Sequence, residues 1–389
     1  MPGLLPHVDP DGLLEYSVVY TDRALNHMSQ RFQGVMRGIA GVLKEAYTAR
    51  SAIVVPGSGS FGMEAVARQF ATQQRVLVIR NGWFSFRWSQ IFDMGGIPSE
   101  TRVLKARQVA SGAQAPFAPA PIDEVVAAIA EFRPGVVFAP HVETASGMIL
   151  PDGYLKAVAD AVHAVGGLFV LDCIASGAMW VDMAATGVDV LISAPQKGWS
   201  GSPCCAFVML SELARARIDG TTSTSFACDL KKWLQIMETY EGGGHIYHTT
   251  MPTDALTKCL EAMEETRADG FAYLKAQQLE LGRRVRELMV RRGFPSVAAE
   301  GFQAPGVVVS YTTDPDLQSA KKFIAQGLQT ASGVPLQCDE PADFRSFRIG
   351  LFGLEKLHHI DRSVAALEAA LDRIQTPSPQ PVQAAAVSA

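Results

Sequence analysis

The chain has 389 residues, 48% of them hydrophobic and 19% charged, with a formal net charge of −5. That length buries a sizeable core and favours more than one domain, and the mild acidity gives no basic field for nucleic acid or a membrane surface, so small-molecule chemistry is the default. Six cysteines without a CxxC pair indicate neither a disulfide framework nor a zinc knuckle, and no apolar run approaches a membrane span, so a soluble protein of the reducing cytoplasm is expected.

Residues 1–27, beginning "MPGLLPHVDPDGLLEY", have no basic segment followed by an apolar one and read as an N-terminal arm, not an export signal. From about residue 50 to 210, short β-branched runs ("SAIVV", "RVLVIR", "GVVFAP", "GLFVLD", "DVLISA", "CAFVML") alternate with amphipathic helical stretches. That rhythm predicts an α/β fold, a doubly wound and mostly parallel sheet with ligands at the carboxyl ends of its strands. Residues 254–293 read as nearly continuous helix. The later pattern of strand "GVVVSY", helix, strand "FRSFRIGLF" and helix predicts a smaller α+β domain, so the expected division is a large domain over 28–265 and a small one over 266–375. The Pro/Ala/Ser-rich end, 376–389, reads as a disordered tail.

Two places carry chemistry. "GSGSFG" at Gly57–Gly62 follows a strand and opens a helix, which points backbone N–H groups at a phosphate or simply makes a tight turn. A dinucleotide site also wants an acid at the end of the next strand. That strand ends in Arg80 and Asn81, which weakens a nicotinamide enzyme and leaves an NADP-dependent oxidoreductase as a remote reading. Asp172 closes the strand "GLFVLD", and Lys197 lies just past the next one. By itself such an aspartate is a turn cap and such a lysine a solvated surface group. Together at neighbouring strand ends they are a carboxylate for a pyridinium nitrogen and an amine for an aldehyde, the two groups that pyridoxal phosphate asks of a protein.

Here the residues carry a resemblance. "PGSGSFGMEA", "HVETASGMILP", "FVLDCIASG", "SAPQKG", "IYHTTMP" and "FRIGLFG", in that order over about residues 28–372, resemble the class V aminotransferases of the pyridoxal-phosphate-dependent fold type I group, and within it the alanine–glyoxylate and serine–pyruvate enzymes. The resemblance implies pyridoxal 5′-phosphate as cofactor, with Lys197 as the lysine joined to it and Asp172 as the partner of its ring nitrogen. It implies Ser58, Gly59 and Ser60 at the cofactor phosphate, Gln196 as a further contact and Thr144 at the phenolic oxygen. Tyr247 and Thr250 match residues that reach the phosphate from a neighbouring subunit, so a homodimer with shared active sites is expected. Arg348 matches the arginine that holds the substrate carboxylate, where a two-pronged guanidinium suits a carboxylate.

The chain also departs from that pattern. The aromatic that stacks on the cofactor falls on Phe84, with Trp83 beside it, and the two rings compete for the role. The usual "PGP" segment is replaced by "LLEYSVVYTDRALNHMS", which offers Tyr16, Tyr20 and Arg23 to the substrate, Tyr20 foremost. Bulky Trp199 stands two residues past the lysine. His358 and His359 read as surface groups, Cys204 and Cys205 as small buried hydrophobes, His248 as a polar neighbour in a cofactor loop, and no metal site is expected.

The reaction expected is transfer of an amino group from a small amino donor to a 2-oxo acid acceptor, in amino-acid metabolism. An aminophosphonate transaminase is the closest alternative, since Arg348 serves a phosphonate as well. A lyase or a desulfurase on the same cofactor is a further alternative, and the desulfurase is disfavoured by Gln196, where desulfurases place a histidine, and by the lack of a cysteine-bearing mobile loop. A ligand-sensing regulator on the same fold lacks room for a basic helix-turn-helix ahead of the large domain.

Overall fold

The apolar runs assemble into one seven-stranded sheet. The computed structural model describes residues 8, 9 and 12–376, and its strands are β1 (Ser51–Pro56), β2 (Arg75–Arg80), β3 (Glu100–Lys105), β4 (Val136–Pro140), β5 (Leu168–Asp172), β6 (Val190–Ser193) and β7 (Cys205–Leu210). Their spatial order is β1-β7-β6-β5-β4-β2-β3. Every pairing is parallel except the two made by β7, which runs antiparallel between β1 and β6. Successive side chains of a strand point to opposite faces, so a strand buried at every position is covered on both sides. This holds for β4, β5 and β6, which explains why their sequences are continuous apolar runs and do not alternate.

Helices α1 (Gln30–Tyr47), α2 (Gly59–Val66) and α3 (Trp83–Gly95) lie against the sheet. Ser29 caps α1 by accepting a hydrogen bond from Phe32 N–H. α2 packs closely under β7 and β6 because Gly62 has no side chain there; a Cβ would lie 2.4 Å from that of Ala206. β1 stands at the sheet edge beside an antiparallel strand, whereas a dinucleotide-binding sheet puts the strand before its glycine-rich turn at the central switch point. The topology therefore removes the frame that the NADP reading of "GSGSFG" requires.

The helix expected over 254–293 is two helices, Thr253–Asp269 and Phe271–Arg291, broken at Gly270, whose φ of +93° an L side chain rarely adopts. The first joins the large core through Leu256, Cys259 and Met263, and the second joins a separate core with Leu274, Leu281, Phe323, Phe347 and Leu371. That second core covers a three-stranded antiparallel sheet in the order β8 (Val307–Tyr311), β10 (Ser346–Gly350), β9 (Ala331–Ser332). Residues 1–7, 10 and 11 of the expected arm, and residues 377–389 of the expected tail, lie outside the described residues. Among the described residues no helix is long and apolar enough to cross a membrane.

Candidate active site

Parallel strands end on the same side of a sheet, so the last residue of β5 and the loop after β6 open into one crevice. Asp172 ends β5, aligned with Ile192 of β6, and Lys197 follows β6 in a tight turn. The lysine loop is pinned from two sides. A Cβ on Gly198 would lie 2.4 Å from the Gly177 carbonyl oxygen, and Trp199 is buried against Trp180, Tyr47 and Phe271 at ring separations of 4.7, 6.1 and 6.2 Å. The bulk beside the lysine is thus an anchor in the core and does not line the crevice.

Burial acts on the two charges in opposite senses. It raises the Asp172 carboxyl to about 6, against the lowering effects of the Ile174 N–H, which donates to Oδ1 at 2.9 Å, and of Lys197. It lowers the Lys197 ammonium, with Arg348 and Arg87 adding to the shift and Asp172 and Glu143 opposing it. The lysine Nζ sits 5.8 Å from the Phe84 ring centre and 5.5 Å from that of Phe352. Arg348, on β10, is half-buried, which lowers its proton affinity; its Nε donates to Ser332 O at 2.8 Å and its Cζ lies 5.5 Å from the Phe84 ring. Trp83 turns to Phe86 at 5.8 Å, so of the two competing aromatics it is Phe84 that faces the lysine.

Ser58 precedes α2 without capping it through its side chain, and Ser60 Oγ accepts from Arg87 Nη1 at 3.0 Å. Gly59 lets this turn close on the aspartate loop, since a Cβ there would lie 2.6 Å from Ile174 Cδ1. Thr144 is buried with no partner for its Oγ1. Gln196 is exposed beside the lysine. Among the described residues, no hydrogen bond or ring contact joins Tyr247, Thr250 or Tyr20 to this crevice. Tyr247 Oη meets Thr250 Oγ1 at 3.2 Å and its ring packs on His27 at 5.5 Å, while Tyr20 donates to Met251 O at 3.0 Å. Tyr16 and Arg23 are exposed. His248 is held by Phe226 O at 2.9 Å and His358 pairs with Asp269 at 2.7 Å.

Three residues of the crevice escaped the motif reading. Phe352 follows Arg348 in "FRIGLFG". Arg87 is three residues after Phe84, a spacing that puts both on one face of α3 and was a usable signal. Glu143 is fully buried and accepts from Phe84 N–H (3.2 Å), Ser85 N–H (2.9 Å), Ser85 Oγ (2.7 Å) and Ala145 N–H (3.0 Å). It caps α3, whose N-terminal dipole favours an anion, and a Cβ on Gly82 would lie 2.7 Å from its Cγ.

No family model matches the chain. By sequence it is 27% identical over 332 residues to the 2-aminoethylphosphonate–pyruvate transaminase of Salmonella paratyphi B, covering 82% of this chain and 84% of that one. It is also 25% identical over 351 residues to a soluble hydrogenase small subunit of a Synechococcus species, covering 89% and 87% of the two chains. By structure it superimposes on alanine–glyoxylate aminotransferase from a Nostoc species with a TM-score of 0.74 at 20% identity, covering 89% of this chain and 88% of that one. The architecture is that of the fold type I aminotransferases, as the motifs implied. Because a fold hosts many activities and these relatives' names differ, the activity is argued from the site.

Two measurements test this geometry. Glu143→Ala leaves its buried donors unpaired, and the urea midpoint should fall by an amount worth on the order of 3 kcal/mol; a loss below about 1 kcal/mol would show that Glu143 does not hold α3. Asp172 has a folded value raised above its unfolded one, so its burial costs nothing below about pH 4 and costs most above about pH 6. Relative to Asp172→Asn, the cofactor-free protein should therefore lose stability as pH rises through that window, by roughly 3 kcal/mol. Parallel stability curves for the two proteins would remove the buried-carboxylate assignment.

Proposed function

We propose that the chain is a pyridoxal 5′-phosphate-dependent aminotransferase that moves an amino group from a small amino acid of the alanine or serine kind to a 2-oxo acid such as glyoxylate or pyruvate. The observation that carries this reading is the enclosed Lys197–Asp172 pair at adjacent strand ends, faced by Phe84 and flanked by Arg348. The names of the transaminase and aminotransferase relatives support it.

The residues present fit the cofactor. Thr144 has a buried hydroxyl without a partner, Ser58 leaves the α2 N-terminus uncapped, and Gly59 clears a cradle that a methyl group would fill. Lys197 would hold the aldehyde carbon, Asp172 the ring nitrogen, Thr144 the phenolic oxygen, Ser58, Gly59 and Ser60 the phosphate, and Gln196 a further edge, with Phe84 against the ring. When bound, the cofactor supplies an electron sink for the carbanion formed at the substrate Cα. Asp172 keeps the proton on the ring nitrogen. Lys197, whose burial lowers the proton affinity of its amine with Arg348 and Arg87 adding to the shift, takes the proton from the substrate Cα and returns it. Arg348, fixed through Nε to β9, would offer its Nη atoms to the substrate carboxylate. Phe84 and Phe352 keep water from the amine.

The working unit is a homodimer with shared sites, in the cytoplasm. Supporting the first, Tyr247 is 50% exposed and joined to its own crevice by no hydrogen bond or ring contact among the described residues, and exposed Phe226 packs on the neighbouring His248 at 4.5 Å. Six buried cysteines without disulfides support the second. A second reading keeps the site and takes an aminophosphonate donor, favoured by the transaminase relative and by a guanidinium that suits a phosphonate.

A panel of alanine, serine and 2-aminoethylphosphonate against glyoxylate, pyruvate and 2-oxoglutarate separates the two readings. With the productive pair in hand, Lys197→Ala should lose at least about 1000-fold in kcat, as expected when a general base that is also the attachment point is removed. Borohydride should fix a label on the peptide bearing Lys197, and a label elsewhere would displace the site. For the dimer, Lys197→Ala chains co-refolded with Tyr247→Phe/Thr250→Ala chains should regain activity, since one site of the mixed dimer has all its native residues. A verified heterodimer as inactive as its parents, or a fully active monomer, would refute shared sites.

A further inference from the structure

If only the small-residue turn served the cofactor phosphate, the chain would offer it little positive charge. A phosphate monoester carries about −1.5 to −2 near neutral pH. In the turn, Phe61 N–H and Gly62 N–H already donate to Ser58 O, and Gly57 N–H to Cys204 O. What remains is the Gly59 and Ser60 N–H groups, which have no acceptor among the described residues, the side chain of Ser58 and the helix dipole.

Arg87 reaches this turn from a different element. It lies three residues after Phe84 on the same face of α3, its Nη1 donates to Ser60 Oγ at 3.0 Å, and its Cζ is 5.3 Å from the Phe84 ring centre. Among the described residues no carboxylate lies within ion-pair distance of it, whereas Arg68, the next arginine to reach α2, is paired with Glu64. A half-buried guanidinium that stacks on an aromatic ring, holds a hydroxyl of a phosphate turn and lacks an anion is incomplete in charge. Its field is felt in the crevice, where it opposes protonation of both Lys197 and Asp172.

Resting on the cofactor assignment above, we infer that Arg87 is the cationic ligand of the cofactor phosphate, held on station by Ser60. A role as a second anchor for the substrate is the competing use of the same charge. The bond to Ser60, inside the turn and not on β10 beside Arg348, favours the phosphate. The consequence is structural economy: α3, capped by Glu143, places the ring-facing Phe84 and the phosphate cation from one helix face, so the two ends of the cofactor are positioned by one rigid element.

The test compares pyridoxal 5′-phosphate with pyridoxal, which lacks the phosphate, binding to the cofactor-free full-length protein and read by the absorbance of the bound chromophore. In the wild type the phosphorylated form should bind far more tightly. Arg87→Gln should weaken it roughly 10- to 100-fold, leave pyridoxal within about twofold, and abolish competition by inorganic phosphate, with Arg87→Lys recovering part of the loss. Arg87→Lys keeps the test decisive if Arg87→Gln does not fold. Equal weakening of both ligands, or of neither, would reduce Arg87 to a tie between helices. A loss confined to the amino donor, with cofactor binding intact, would make it a substrate anchor and overturn the inference. A wild type that fails to prefer the phosphorylated ligand would instead overturn the cofactor assignment itself.

Discussion

An amine and a carboxylate withdrawn from water at the ends of two adjacent parallel strands form the constraint on which the rest of the structure depends. Removing charge from water is costly, and mutual attraction repays it only in a well-built surrounding. Here that surrounding is a sheet covered on both faces, a lysine loop fastened by Trp199 and a backbone N–H on Asp172 Oδ1. The same burial that costs stability prepares the chemistry, because it moves the Asp172 carboxyl up to about 6 and the Lys197 ammonium down.

Phe84 organises the electrostatics of the crevice. Lys197, Arg87 and Arg348 approach its ring to 5.8, 5.3 and 5.5 Å, a crowding of like charge that a quadrupole and nearby carboxylates relieve. Asp172 and Glu143 are those carboxylates, and Glu143 also fastens the helix that carries the ring. The formal net charge of −5 therefore misdescribes the site: an acidic protein gathers cations where an anionic ligand would enter.

The three-stranded sheet of the second core contributes a charge of its own to the crevice. Arg348 belongs to the second core's sheet, and its place depends on how that sheet sits against the first. Part of the join is the loop after Leu336, where Arg80 Nη1 donates to Gln337 O at 3.2 Å and Lys105 pairs with Asp339 at 2.6 Å. Gln337 and Asp339 both adopt positive φ, and Glu340 accepts from the N–H groups of Leu336, Gln337 and Cys338, which holds that loop in shape. Arg348 is thus mounted on the three-stranded sheet, whereas Lys197 and Asp172 stand at strand ends of the seven-stranded one.

The sequence by itself determined the strands, the small-residue turn before α2 and the placing of Asp172 and Lys197 at strand ends, because apolar runs and glycine turns are set by near neighbours along the chain. Tertiary structure alone decided the antiparallel course of β7 and the choice of Phe84 over Trp83 as the ring facing the lysine. It also decided most of the company of the lysine: Glu143 and Phe352 come from distant segments and look ordinary one at a time, and only Arg87, spaced from Phe84 by one helical turn, left a signal in the sequence. Tyr247 and Tyr20 are held by Thr250 and Met251 within their own chain, and neither is joined to this crevice by a hydrogen bond or ring contact among the described residues. The physical reason is that burial and charge proximity are sums over side chains brought together by folding, and no spacing along one segment carries that sum.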